Sequence, residues 1–310
     1  MIMRGDDRRD DPEAGFIIVP VLWILLALAG MAGILSVYLV NSAQALSLDD
    51  DHLRSAALVS AGLELTAYEL SSQTKPLRPP DGSFTFRLDH ARVSVSFQSE
   101  AARIDLNHAP KEMLANLFQV LGARADDALE YAVRIIGWRT PPSDEAPEAE
   151  RELYRAAGAD HMPRGAPFAN VEELRLVLHL PPALADRAMP FVTVYSGRRE
   201  VNVLEAAPEA LASLPGMTQD IMKSFLEQRA GLRRDARSVA SVLGPARASA
   251  TVEMGDSVRV RTMIAFDNGR QAAAEVIILL DGGDDPYKIL SWRDDGGAAA
   301  MRRQSAKAQR

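Results

Sequence analysis

Cysteine is missing from all 310 residues, which excludes disulfide staples, thiol catalysis, thiolate metal sites and a lipid-modified amino-terminal cysteine, while leaving an oxidising compartment open. Histidine is scarce: His52, His90, His108, His161 and His179 stand far apart, and none shows the HExxH spacing that puts two imidazoles on one helix face for zinc. A phosphate-cradling loop, a dinucleotide glycine fingerprint and a serine-centred nucleophile elbow are also lacking. The chain is therefore expected not to be an enzyme. Excess positive charge is absent too, since 42 acidic against 35 basic residues give a net charge of −7, which argues against a general polyanion binder. Charge of either sign is absent from Gly15 to Leu48.

Within that gap, Phe16 to Val40 is apolar apart from Ser36. At about 1.5 Å per residue it makes a helix of roughly 37 Å, enough for a hydrocarbon core of about 30 Å. Residues 16–40 are thus assigned to a transmembrane helix and residues 1–15 to a leader. The leader carries five acids and three arginines before Gly15, unlike a secretory signal with its basic start and short apolar stretch. Arg4, Arg8 and Arg9 favour a cytoplasmic leader, because orientation follows Arg and Lys rather than net charge. A rival reading is open: Ala43-Gln44-Ala45 fits a signal peptidase site, and cleavage after Ala45 would release a soluble helical binding module. Past the span, Leu53, Ala56, Ser60, Leu63, Ala67 and Leu70 fall at spacings of three and four, the mark of an amphipathic helix. Residues 41–72 read as a stem that Ser71-Ser72 and Pro76 end.

A charged leader ending in Gly15, then Phe16, then a hydrophobic helix that becomes an amphipathic stem resembles the signal of type IV pilins and type II secretion pseudopilins. The resemblance implies that a prepilin peptidase cuts after Gly15 and methylates Phe16. The family's usual glutamate at the fifth mature position is replaced here by Pro20. That loss is similar to the minor pseudopilin K class, which sits at a filament tip. Arg103-Ile104-Asp105-Leu106-Asn107-His108-Ala109-Pro110 resembles the same class, with Arg103, Asn107 and Pro110 as its signature. So does Pro167 to Leu174, with Phe168, Glu172 and Leu174. The class's acidic residue after Trp138-Arg139 is Thr140 here, so no acid-dependent feature of that loop carries over. The resemblance implies partners among the other minor pseudopilins (I and J classes) and inner-membrane secretion assembly components. It implies a single-pass inner-membrane protein with a periplasmic body that initiates a type II secretion pseudopilus. Calcium binding is a family property without residues assigned to it here, and no other cofactor is expected.

The fold class expected is α+β: a long N-terminal helix, a pilin-like body with antiparallel strands at 73–102 and 251–293, a large helical insertion at 103–250, and a disordered tail at 294–310. The insertion is SAM-like or helix-hairpin-helix-like. Ser83–Leu88 and Arg92–Gln98 alternate around Asp89-His90-Ala91 and read as a hairpin. Val258–Phe266 and Gln271–Leu280 flank Asp267-Asn268-Gly269, and Asn-Gly suggests a type I′ turn. Tyr287–Trp292 offers a further strand. Asn170 with Glu173 suggests a capping box. The stretch from Ile104 to Leu114 compares with Val201 to Leu211, each running from an extended segment through Ala-Pro into a helix, so two related units are expected.

Leu214-Pro215-Gly216-Met217-Thr218 resembles a DNA-binding helix-hairpin-helix, but the second glycine is Thr218. Residues 103–250 hold 20 acids and 18 bases, too little positive charge for counterion release, so a structural hairpin is expected and no nucleic acid. Asp281, Asp284 and Asp285 beside Gly282-Gly283 have the carboxylate density that hard cations use. A solvated turn leaving a strand accounts for them more simply.

Overall fold

The computed structural model describes residues 18–74, 78–142, 149–280, 283 and 285–294. The leader with Gly15, Phe16, part of the acidic loop after Pro142, Asp281, Asp284 and residues 295–310 lie outside the described residues. The chain divides into two compact units, Met1–Ala57 and Leu58–Arg310.

Helix α1 spans Ile18–Ser71. Pro20 falls in its first turn, where a missing N–H breaks no helical hydrogen bond. The window Pro20–Tyr38 has a mean hydropathy of 2.2 with none of it buried, and Trp23 and Met31 are exposed. Lipid is the solvent that such a surface suits, since each large apolar side chain left in water forgoes about 1.5–3 kcal/mol. In the second unit the helix buries Leu58, Val59, Leu63, Ala67 and Leu70. The expected stripe is thus realised only from Leu58, because Leu53 and Ala56 are exposed. Periodicity tells which residues share a face, not where the neighbour covering that face begins.

The covering neighbour is a five-stranded antiparallel sheet in the order β1-β2-β7-β8-β9: β1 is Asp81–Leu88, β2 Ala91–Ser99, β7 Ser257–Phe266, β8 Gln271–Leu279 and β9 Lys288–Asp294. Val93, Val95 and Phe97 of β2, Val258, Val260 and Ile264 of β7, and Val276 and Ile278 of β8 form one core with the helix. Alternation along β2 is complete, with every second residue buried, as a sheet covered on one face requires. The last strand extends to Asp294, which pairs with Ala274 and accepts a bond from Trp292 Nε1 at 2.6 Å. The tail expected from 294 therefore starts no earlier than 295.

The type I′ turn lies in the first hairpin and not in the second, where it was expected. Asp89 and His90 both take positive φ, 47° and 56°, the two-residue I′ geometry that joins β1 to β2. Asn268 does not, and only Gly269 is left-handed at φ 86°. Gly269 N–H donates to Phe266 O and Phe266 N–H to Arg270 O, each at 2.9 Å. This is a three-residue loop closed by a left-handed glycine. One residue of extra loop length decides the turn type, and Asn-Gly serves both.

Between β2 and β7 the chain makes the helical insertion. Its first unit opens with β3 (Ile104–Asp105), continues through α2 (Lys111–Val120), α3 (Ala125–Arg139), α4 (Ala149–Ala156) and α5 (Pro182–Ala188), and closes with β4 (Val192–Thr193). The second opens with β5 (Val201–Asn202), continues through α6 (Pro208–Ala212), α7 (Gln219–Gln228) and α8 (Ala236–Leu243), and closes with β6 (Ala250–Thr251). In each unit the opening and closing strands form a parallel two-residue bridge. One core, including Phe118, Tyr154 and Phe225, runs through both.

Candidate functional site

Without a catalytic constellation, the candidate site is the set of groups that shape the insertion and fix it to the sheet. The opening turn of the first unit is built by Asp105, whose Oδ1 accepts Asn107 N–H at 2.8 Å and whose Oδ2 accepts Ser196 Oγ–H at 3.0 Å and Gly197 N–H at 2.8 Å. An aspartate turning the chain by bonding two residues on is what its short side chain does well. Asn202 repeats the device in the second unit, accepting Leu204 N–H at 3.1 Å.

Asn107 and Phe168, far apart in sequence, meet directly. The Asn107 amide donates from Nδ2 to Phe168 O at 3.1 Å and accepts Phe168 N–H at 2.7 Å, so one side chain satisfies both backbone groups of a buried residue. The amide carries both the donor and the acceptor that this pairing needs. The Phe168 ring lies against Trp138 with centroids 5.9 Å apart. Trp138 Nε1–H donates to Glu173 Oε2 at 3.0 Å, and Glu173 Oε1 accepts Ala169 N–H at 3.1 Å. The expected cap exists in altered form: Asn170 Oδ1 accepts Glu173 N–H at 3.1 Å, but Glu173 reaches back to Ala169, not to Asn170, and the helical run is a 3-10 turn over Val171–Leu176. Leu174 is fully buried in the insertion core. Pro110 is the N-cap of α2, with extended φ −71° and ψ 155°.

Arg139, at the end of α3, donates to Leu106 O and, at 2.9 Å, to Ala109 O. Arg229 donates to Ala206 O at 2.8 Å, the matching carbonyl of the second unit. Each unit thus ties the carbonyls before its Ala-Pro helix with an arginine from the end of its next helix. Burial lowers the Arg139 pKa below its ordinary value. Ala-Pro marks the repeat in the sequence, but these arginines do not, because their positions match only once the helices are aligned.

At the base of the insertion lies a buried charge cluster. Glu100, with no exposed surface, accepts Arg259 Nε–H at 2.7 Å and Nη2–H at 3.1 Å, and the Thr193 hydroxyl bonds it too. Arg259 also reaches Glu275, as does Arg261 at 2.7 Å. Glu275 is held below the usual carboxylate range because Arg259 and Arg261 outweigh the burial that pushes it up. Arg103 donates to Pro190 O at 2.6 Å with Nε 3.7 Å from Glu100. Burial, then Arg259, bring Arg103 down to about 10. The cluster joins β7 and β8 to both ends of the first helical unit. Glu172 makes a second tie, pairing with Arg293 of β9.

Of the expected site residues, Asn107 and Phe168 are thus in contact, Leu174 shares their core, Arg103 belongs to the buried charge cluster that clasps the insertion to the sheet, Pro110 starts a helix and Glu172 faces the sheet. Asp285 lies within the described residues, but Asp281 and Asp284 lie outside them. Among the described residues no group of three or more acidic or histidine side chains is placed to hold a metal ion. In the hairpin between α6 and α7, Gly216 is left-handed at φ 76° and Thr218 caps α7 by accepting Ile221 N–H at 3.3 Å.

Residues 94–197 match the family described as type II secretion system (T2SS), protein K. They run from the middle of β2 through Glu100 and Arg103 and the whole first helical unit, while Arg259, Arg261 and Glu275 lie beyond them. A chain of the crystal structure of the GspK-GspI-GspJ complex from the enterotoxigenic Escherichia coli type 2 secretion system is similar in fold, with a TM-score of 0.59 at 16% identity. The match covers 82% of this chain and 99% of that one. No curated protein matches the chain in sequence.

Proposed function

We propose, from the match of residues 94–197 to the family described as type II secretion system (T2SS), protein K, that the chain belongs to that family and is a minor pseudopilin which initiates a secretion pseudopilus at its tip. The observation that carries this reading is the family match over the segment that contains Glu100, Asn107 and Phe168. The helix over Pro20–Tyr38 supports a single-pass inner-membrane anchor, with the sheet and insertion in the periplasm. The work is packing and not catalysis. The anchor helix enters a bundle with other minor pseudopilins of the I and J classes, and inner-membrane assembly components receive the complex. Pro20 stands where the family's glutamate would pair with a neighbouring amino terminus, which suits a subunit with none above it.

In this reading a prepilin peptidase cuts after Gly15 and Phe16 becomes the methylated amino terminus. The test is intact mass and amino-terminal peptide analysis of the protein from its native membrane, together with co-purification of the I and J class subunits. A start at methylated Phe16 and recovery of both subunits are expected. A start at Leu46 would refute the anchor and favour the secreted module.

A further inference from the structure

The second helical unit carries a small apolar trough whose charged surroundings have the opposite sign to the chain as a whole. Between α8 and the stretch that closes the unit lies a cavity of about 200 Å³, lined by Ala236, Val239, Ala240 and Leu243 of α8, by Arg247 and by residues 250–253. Val239 and Leu243 are buried in the insertion core, so its floor is fixed. Ala236 is exposed and Ala240 partly so, and their short side chains leave the trough unfilled. Sites for small molecules usually measure about 300–1,000 Å³. This one has room for a single large side chain instead.

The charges around the trough select what that side chain's neighbours must be. From Ile221 to Ala250 six residues are basic and only Glu227 and Asp235 are acidic, in a chain of 35 bases and 42 acids. Some of these cations are already committed. Arg229 donates to Ala206 O at 2.8 Å and Arg234 to Glu205 at 3.1 Å. Glu253, the one acid lining the trough, is held by Arg198 at 3.0 Å. Arg237 and Arg247 differ: both are exposed, and neither side chain has a hydrogen bond or ion pair among the described residues. Arg247 lines the trough itself. Arg237 stands three residues before Ala240 in α8, which makes the two neighbours on the helix surface.

We propose that this trough binds an acidic peptide segment of another protein, with one apolar side chain seated between α8 and residues 250–253 and carboxylates on either side of it meeting Arg237 and Arg247. The apolar side chain supplies affinity by leaving water in a fitted pocket. The carboxylates, paired at an exposed rim, supply orientation and association rate more than affinity. A polyanion without such a side chain would use the two arginines alone. The trough lies beyond residues 94–197, so the proposal stands or falls separately from the family match.

The probe is a fluorescein-labelled peptide of aspartates and glutamates around one central leucine, titrated by fluorescence anisotropy with the full-length chain in nonionic detergent. Saturable binding is expected. Replacing the central leucine by alanine should weaken it roughly tenfold or more, as loss of a buried large side chain does. Arg237→Ala with Arg247→Ala should weaken it severalfold at low salt, and by less as salt screens the pairs. Ala240→Leu, which fills the trough from α8, should weaken the leucine probe and leave the alanine probe as it was. Equal binding of the leucine and alanine probes by the parent chain, equal competition by a single-stranded oligonucleotide of the same charge, or no saturable binding would overturn the proposal.

Discussion

Replacing Glu100 by Gln keeps its shape and removes its charge at the base of the insertion. The carboxylate is wholly buried and holds Arg259 by two bonds, at 2.7 and 3.1 Å, with a Thr193 contact besides. Arg259 keeps Glu275, but Arg103 loses its nearest acid and Thr193 the charge it bonds. Taking one partner from a buried ion pair costs about 3–5 kcal/mol, because the remaining charge stays desolvated. For a unit of this size each kcal/mol moves Tm by about 2–4 °C, so a fall of roughly 6–20 °C is expected. The assay is thermal unfolding of the full chain in detergent with Trp23→Phe, so that Trp138 reports the insertion and Trp292 the sheet. Both signals should fall together, since the clasp joins the two. The double change Glu100→Leu with Arg259→Met should recover most of the loss, because well-packed apolar groups can replace a buried pair. Arg175→Ala, which breaks an exposed pair with Asp186, should cost under about 1 kcal/mol. A Glu100→Gln chain melting within about 2 °C of the parent would refute the reasoning.

Asn107→Asp keeps the acceptor for Phe168 N–H but cannot donate to Phe168 O, and should cost about 1–3 kcal/mol in a urea titration; an unchanged midpoint would show the bracket to be idle. His161 contacts Asp160 through Nδ1 at 2.7 Å and Leu176 O through Nε2 at 2.8 Å, two acceptors that only the doubly protonated ring can serve. Its pKa is accordingly raised, first by Asp160 and then by the Leu176 carbonyl. The stability it contributes is whole below the unfolded value of about 6.5 and is lost as pH rises through the higher folded value. An NMR titration midpoint for His161 at or below the unfolded value would contradict this. Gly216→Ala combines φ 76° with a new Cβ 3.0 Å from Pro245 Cβ, for a cost of about 1–3 kcal/mol. Gly158→Ala, at φ 67° in open space, should cost less, and equal losses in thermal melts would mean that Pro245 simply moves aside.

What the sequence made legible was local or periodic. A charge-free run exposes a membrane helix because one missing property over many residues is hard to mimic, and strict alternation in β2 marks a sheet with one covered face. Asn107 and Phe168 each stand in a recognisable stretch of sequence, but their contact spans 61 residues, and nothing in either stretch names the other. The I′ turn was expected at Asn268 and lies at Asp89-His90 because composition suggests a turn while loop length chooses its type. Glu100 gave only a faint signal, an acid three residues before Arg103, and its main partner is 159 residues away. That separation also explains why the clasp is where it is. Ser99 and Val258 are paired neighbours in the sheet, so the chain leaves for the insertion and returns from it at one point. An insertion so placed leaves the ladder intact, but two adjacent connections alone would let it pivot. Glu100 comes one residue after the exit and Arg259 one residue after the return, while Thr193 closes the first helical unit onto the same carboxylate. The buried pair therefore converts a flexible pair of connections into a fixed base, and Glu172 with Arg293 adds a second point of attachment at the edge of the sheet.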